Sequence, residues 1–345
     1  MEKFFENEVK DTVQKLNQLK EEGCLCFNVV TDSHVSPTNP QWLARQWHTF
    51  QNIKAVNQGA EVDAIFHLGD IFGCVDCITE GFALKFWNEE NTKEWFSIFK
   101  RELTAANPNA FFVAGNHDNL KAGEPTRSSW SQEMVKPIKD KISGYREGEM
   151  YYYVDFPESS VRAICLMSNS REGEQGEHKN YGIYPEQVEW LVNDALKAPD
   201  GWSILLFSHI YPANDGISSA RQDNVEEFAD LLKAFQNKEK FESEIFSGDF
   251  RNYSDAKIVA MFVGHGHVDW LHGPDKLPFW VVETGSNHVH VPERSNWNMP
   301  DDAVVPPREY DTVTEDLWDA VVYNPKKKTI DVIRFGSGDD RHIDL

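Results

Sequence analysis

The sequence predicts an α/β protein whose strands deliver polar side chains to one edge of a sheet. Three observations lead there. Short apolar runs alternate with helix-like segments; five of those runs end at a residue able to hold a metal, Asp32, Asp70, Asn116, His209 and His265; and such strand ends are where open α/β sheets bind ligands. The full set of candidates spans residues 32 to 267, so most of the chain must share one unit. A single domain over 1–345 is therefore expected, although about 150 residues per domain would allow two.

Residues 5–20 read as a helix, with Phe5, Val9, Val13 and Leu16 at helical spacing. The apolar strand 24–30 runs into Thr31-Asp32, and a Trp-rich helix over about 42–57 follows. Strand 62–68 runs into Gly69-Asp70, 82–103 reads as a long helix, and strand 110–114 runs into Gly115-Asn116. Segments 149–155 and 161–168 read as an antiparallel pair, and Pro185 suits the first turn of a helix over 185–197. Strands 202–207 and 257–263 run into Ser208-His209 and Gly264-His265. Strand 278–284 and a hairpin over 317–335, with Lys326, Lys327 and Lys328 at its solvated tip, complete the sheet.

Hydrophobic residues at 40% and aromatics at 12% are ample for a packed core and exclude disorder over most of the chain. No apolar run approaches the ~18 residues of a membrane span, so no membrane partner is expected. The charged N-terminal segment lacks the apolar stretch of a secretory signal, which predicts a cytoplasmic protein. Against 34 Lys+Arg stand 56 Asp+Glu, a net charge of −22 that repels polyanions and argues against nucleic-acid polymers. A small anion is not excluded, because one local cation reverses the potential. Five cysteines, at 24, 26, 74, 77 and 165, are too sparse and too odd in number for a disulfide scaffold and fit a reducing compartment.

Taken singly, Asp32-Ser33-His34 and Gly69-Asp70 are ordinary strand-end turns. Gly115-Asn116-His117-Asp118 is far more specific. With 12 histidines in 345 residues, a His-x-His triplet arises by accident about 0.4 times, and the chain has two. The first, His265-Gly266-His267, directly follows an apolar strand and is flanked by glycine; the second, His288-Val289-His290, lies in a polar stretch and reads as surface or rim.

In this order the five blocks resemble the calcineurin-like metallophosphoesterase superfamily, over residues about 24–285, with the helix 5–20 and the hairpin 317–335 outside that core. The resemblance implies a four-layer α/β/β/α sandwich of two mixed sheets with a dinuclear metal site at the strand C-terminal ends. It implies that Asp32, His34 and His267 hold one metal, that Asn116, His209 and His265 hold the other, and that Asp70 bridges them. It further implies that His117 is a general acid whose orientation is set by Asp118. The implied cofactors are two divalent ions, Mn, Fe, Zn or Ni, which suit imidazole and oxygen donors. Such ions ~3.5–4 Å apart pin a hydroxide and clamp both oxygens of an in-line displacement at phosphorus. Their charge against Asp32, Asp70 and the hydroxide leaves about +1, enough to draw a phosphate ester to an acidic protein.

The implied function is hydrolysis of small phosphomonoesters or phosphodiesters, nucleotides and cyclic nucleotides among them. No Arg closely follows the bridging Asp70, unlike in protein Ser/Thr phosphatases, and no Tyr stands at the near positions, unlike in purple acid phosphatases. The alternatives are a scaffold on the same fold, which the intact His117-Asp118 pair argues against, and a phage-particle component with residual or specialised hydrolase activity, which has no sequence feature of its own. Loops 72–80, 119–147, 170–184 and 211–220 are expected to set specificity. Tyr211, Trp270 and Trp297 are weighed as a stacking wall against ordinary core and rim packing, which is the favoured reading; Arg162, Arg171 and Arg341 are weighed as phosphate contacts with nothing in the spacing to select among them, and Asp76 as a residue near the metals. Cys74 and Cys77 read as reduced structural thiols, and segment 334–341 has no evident role.

Overall fold

A computed structural model describes residues 1–35, 40–72, 89–118, 131–168, 181–212, 222–288 and 301–345. Two six-stranded mixed sheets form its centre. The first runs, edge to edge, Arg341–Asp344 (β16), Thr329–Gly336 (β15), Leu317–Asn324 (β14), Leu25–Val30 (β1), Ala64–His67 (β2) and Ala110–Phe112 (β3). The second runs Trp270–His272 (β12), Trp280–Glu283 (β13), Lys257–Val263 (β11), Ser203–Phe207 (β7), Val161–Cys165 (β5) and Tyr152–Phe156 (β4). Two short ladders lie outside them, Tyr181–Gly182 (β6) with Gln222–Asp223 (β8), and Lys240–Glu242 (β9) with Ser247–Asp249 (β10). Helices Glu6–Leu19 (α1), Pro40–Ala60 (α2) and Glu89–Ala106 (α3) accompany the first sheet; Pro185–Trp190 (α4), continued by a π turn, and Val225–Asn237 (α5) accompany the second. This is the expected four-layer sandwich.

The strands β1, β2 and β3 are parallel, as are β5, β7, β11 and β13. Burial on both faces explains their unbroken apolar runs: every residue of Leu25–Val30 is buried. Between the sheets lies an aromatic seam. The rings of Phe66 and Phe207 stack at 3.9 Å, and Phe27 and Phe262 close around them edge-on to each other at 5.3 Å. Each such ring, fully buried, contributes roughly 1.5–3 kcal/mol of transfer free energy.

Most expected elements form with shifted ends. Of the helix expected over 82–103, residues 82–88 lie outside the described residues, and α3 continues to Ala106. Among the elements that were not anticipated, two stand out. Helix α5 carries Phe228, Leu231, Leu232 and Phe235 at i, i+3, i+4 and i+7, a legible core-facing stripe. Strand β16 begins at Arg341, the last residue of the segment 334–341, and two arginines give that segment a role. Arg334 donates to Asp269 through Nη1 and Nη2 at 2.8 and 2.7 Å and to Asp319 through Nε at 2.8 Å. Arg341 pairs with Asp319 and donates to the Glu283 carbonyl. The C-terminal hairpin thus braces Asp269, two residues beyond His267, with buried bidentate charge pairs.

Candidate metal centre

Beyond the strand ends the chain keeps pairing for a few residues more. The amide of Asp32 donates to Gly69 O at 3.0 Å and that of His34 to Asp70 O at 2.9 Å, so the loops after β1 and β2 advance side by side. Five of the expected ligands have left-handed backbone: Asp32 (φ 52°), His34 (41°), Asp70 (52°), His265 (71°) and His267 (56°). Each such non-glycine residue costs on the order of 1 kcal/mol or more, and strain of this kind concentrates where side chains must be aimed. Glycine permits the close approach. A Cβ on Gly115 would overlap the backbone nitrogen and Oδ1 of Asp70, and one on Gly264 would overlap the Thr31 hydroxyl.

The result is two triads of donor atoms, Asp32–His34–His267 and Asp70–His209–His265, each with its atoms within 4.8 Å of one another. Asp70 lies between them, its Oδ2 being 3.3 Å from His209 Nε2 and 3.8 Å from His34 Nε2. Asn116 joins the second group, with Oδ1 at 3.0 Å from His209 Nε2. All seven expected ligands are therefore brought together. His117 stands at the rim of the first group: its ring centroid is 5.1 Å from that of His34, Nε2 is 3.9 Å from Asp70 Oδ2, and the side chain is 26% exposed.

These residues fit a pair of cations. The Nε2 atoms of His34 and His267 face each other at 3.0 Å, and Asp32 Oδ1, 3.0 Å from His267 Nε2, accepts no hydrogen bond despite its burial. His209 Nδ1 donates to the Leu68 carbonyl at 2.8 Å, which leaves the Nε2 lone pair directed at the site. The electrostatics call for positive charge. Burial would lower the His209 pKa, but the carboxylates of Asp70 and Asp32 outweigh it and raise it to about 9. Burial would likewise raise Asp70, yet His209 and His117 hold its carboxyl well below the usual range. A buried carboxylate pair ringed by imidazoles is an arrangement that cations complete.

The family model for calcineurin-like phosphoesterases matches residues 27–275, well over half of the chain. The chain belongs to the calcineurin-like phosphoesterase family. This calcineurin-like phosphoesterase is accordingly a phosphoric ester hydrolase of a family that uses a dinuclear metal centre. No curated protein matches its sequence. Among solved structures it is similar to a dimetal phosphatase from Danio rerio, at 13% identity over 94% of this chain and 99% of that one, with a TM-score of 0.59. It also matches an anchor protein of the inner membrane complex of Plasmodium, at 11% identity over 90% and 83% of the two chains, TM-score 0.46. The first likeness shows a shared fold; the second is too loose to argue from. No described helix is long and apolar enough to cross a membrane.

Several expectations for this phosphoesterase need correction. Asp118 does not orient the His117 ring: its two oxygens accept from the amides of Asp70, Ile71, Phe72 and Gly115 at 2.8–3.3 Å. It shapes the Asp70 turn; burial and then the Asp70 charge push its pKa up to about 8, against the amide hydrogen bonds, which favour the carboxylate. His288 is not surface: it is 7% exposed, its ring lies 6.1 Å from that of His34, and its amide donates to Asp32 O. Arg162 is bound to Asp155 and the Ala195 carbonyl, and Arg341 to Asp319, so both serve the fold. For Tyr211 and Trp270 the favoured core reading holds: both are buried and pack edge to face at 5.9 Å. Cys74, Asp76, Cys77, Arg171, His290 and Trp297 lie outside the described residues, as do 73–80, 119–130, 170–180 and 213–220 of the loops expected to set specificity.

One supporting residue was missed because it sits inside an apolar strand. The Gly69 amide donates to His67 Nδ1 at 3.2 Å, which puts the proton on Nε2; that N–H donates to Ser33 Oγ at 2.8 Å, and Ser33 donates to Asn287 Oδ1 at 3.5 Å. The relay ties the loops after β1, β2 and β13 together. Burial depresses the His67 pKa from 6.5 to about 3. A histidine neutral when folded but protonated when unfolded loses folding free energy as pH falls through the window from about 6.5 to about 3. In His67→Gln the fall of denaturation midpoint with acid over that window should be shallower than in wild type, as urea titrations at successive pH values would show. Parallel curves would contradict the assignment.

Proposed function

We propose that this chain hydrolyses small phosphomonoesters or phosphodiesters, with nucleotides and cyclic nucleotides in the substrate class, at the site centred on Asp70. The observation that carries this is the shared carboxylate: Asp70 stands within 3.8 Å of imidazole nitrogens from both donor triads. Asp32, His34 and His267 would hold one divalent ion, Asn116, His209 and His265 the other, with Asp70 common to both. Such ions, when bound, ionise water at neutral pH and neutralise charge on the phosphoryl group. Mn, Fe, Zn and Ni all suit this donor set.

The chain's own groups supply the rest. Asp118 shapes the Asp70 turn, and the His117 amide donates to Asp70 Oδ1 at 2.8 Å, which supports a role for the imidazole next to a phosphate bound at this centre. Burial holds the His117 pKa down at about 4, with the pull of Asp70 opposing it. A bound phosphate adds negative charge in the same sense as Asp70 and favours the protonated ring, which then gives its proton to the departing oxygen. The three described cysteines are free, which supports a reducing, cytoplasmic setting. The test is turnover of mono- and bis-p-nitrophenyl phosphate after reconstitution with each metal, followed by a nucleotide and cyclic-nucleotide panel. Metal-dependent hydrolysis of either ester is expected; inert protein carrying two ions would leave a scaffold on this fold.

A further inference from the structure

Three tyrosine hydroxyls are committed within the fold. That of Tyr152 donates to the Phe112 carbonyl at 2.8 Å, that of Tyr153 to Asp194 at 3.1 Å, and that of Tyr323 pairs with Ser203 at 2.5 Å. Tyr181 differs. It is half-buried, its ring meets that of His265 edge-on at 5.4 Å, and its hydroxyl hydrogen-bonds to no described residue. Its backbone is nonetheless firmly held. Tyr181 pairs with Gln222 in the β6–β8 ladder, and the next amide, that of Gly182, donates to Ser168 O at 3.1 Å. The Ser168 hydroxyl in turn accepts from the amide of Ile210, beside His209, at 2.9 Å. A placed aromatic ring with an uncommitted donor at a cationic site is suited to an anion.

The site has a symmetry that this residue completes. The His117 ring stands against His34 of the Asp32–His34–His267 group, and the Tyr181 ring stands against His265 of the Asp70–His209–His265 group. The guanidinium groups of Arg162 and Arg341 are committed to Asp155 and Asp319. We propose that Tyr181 is a substrate-binding residue whose hydroxyl donates to a non-bridging phosphoryl oxygen of the ester, while its ring stays packed on His265. The inference rests on the two-metal reading above. A neutral donor suits the task, because it binds the phosphate without drawing metal-ligand carboxylates away from the metals.

Tyr181→Phe keeps the ring and removes only the donor, so folding should be unaffected, with an unchanged melting temperature. On manganese-loaded protein the ion content should equal that of wild type, while the Kd for inorganic phosphate, read by calorimetry, rises about 10- to 100-fold, as expected for one hydrogen bond to a charged group. The value of kcat/KM should fall by a similar factor for p-nitrophenyl and alkyl phosphates alike. Unchanged phosphate affinity would overturn the proposal. So would a loss confined to alkyl esters, which marks a proton donor, or a loss of bound metal, which marks a brace for His265. Wild-type protein that binds neither two ions nor phosphate would instead reject the two-metal reading, and this inference with it.

Discussion

Asp70→Asn should empty both metal positions at once. Among the described residues it is the carboxylate close to imidazoles of both triads, with Oδ2 at 3.3 Å from His209 Nε2 and 3.8 Å from His34 Nε2. Asparagine preserves the shape and the Oδ1 that accepts the His117 amide, but it removes the negative charge that offsets two cations in a buried site. After dialysis, elemental analysis should show ion content falling from two per chain toward none, and turnover should drop by about 10³-fold or more, since the ions supply several kcal/mol of transition-state stabilisation. A variant that retains both ions would contradict the shared role of Asp70. Asp32 is not equivalent: its Oδ1 lies 3.0 Å from His267 Nε2, within the first triad, and its replacement should spare the second.

His117→Ala should give the complementary result, with metals kept and turnover lost selectively. No triad includes His117, so ion content should stay at two per chain. Proton donation is worth roughly 10²–10⁴ in rate where the leaving oxygen needs a proton. Alkyl phosphates should therefore lose that factor, whereas p-nitrophenyl esters, which depart as a stable phenolate, should lose much less. Equal losses on both would assign His117 to holding the phosphate rather than to proton transfer.

The chemistry of the centre was legible because its parts are local. Each of the five blocks is a strand end a few residues long, and the residue types that bind metals are few. The strands were legible for the same reason: Leu25–Val30 and Lys257–Val263 are apolar over nearly every residue, since both faces are covered. Helix α5 carries an equally plain stripe, legible in the same way. His288 and His67 were different. Nothing in Asn287-His288-Val289 announces burial 6.1 Å from His34, and His67 is camouflaged by its apolar neighbours.

What the sequence by itself determined is which side chains gather at the candidate metal centre, because residue type, strand ends and flanking glycines are written in short contiguous runs. What only the tertiary structure decided is what holds those atoms in place. Asp118 serving backbone amides, the His67–Ser33–Asn287 relay, and Arg334 bracing Asp269 all join residues from distant parts of the chain. A carboxylate or guanidinium can satisfy its hydrogen bonds with many partners, and local sequence does not choose among them; closure of the two sheets does, by leaving each buried charge a single set of partners within reach.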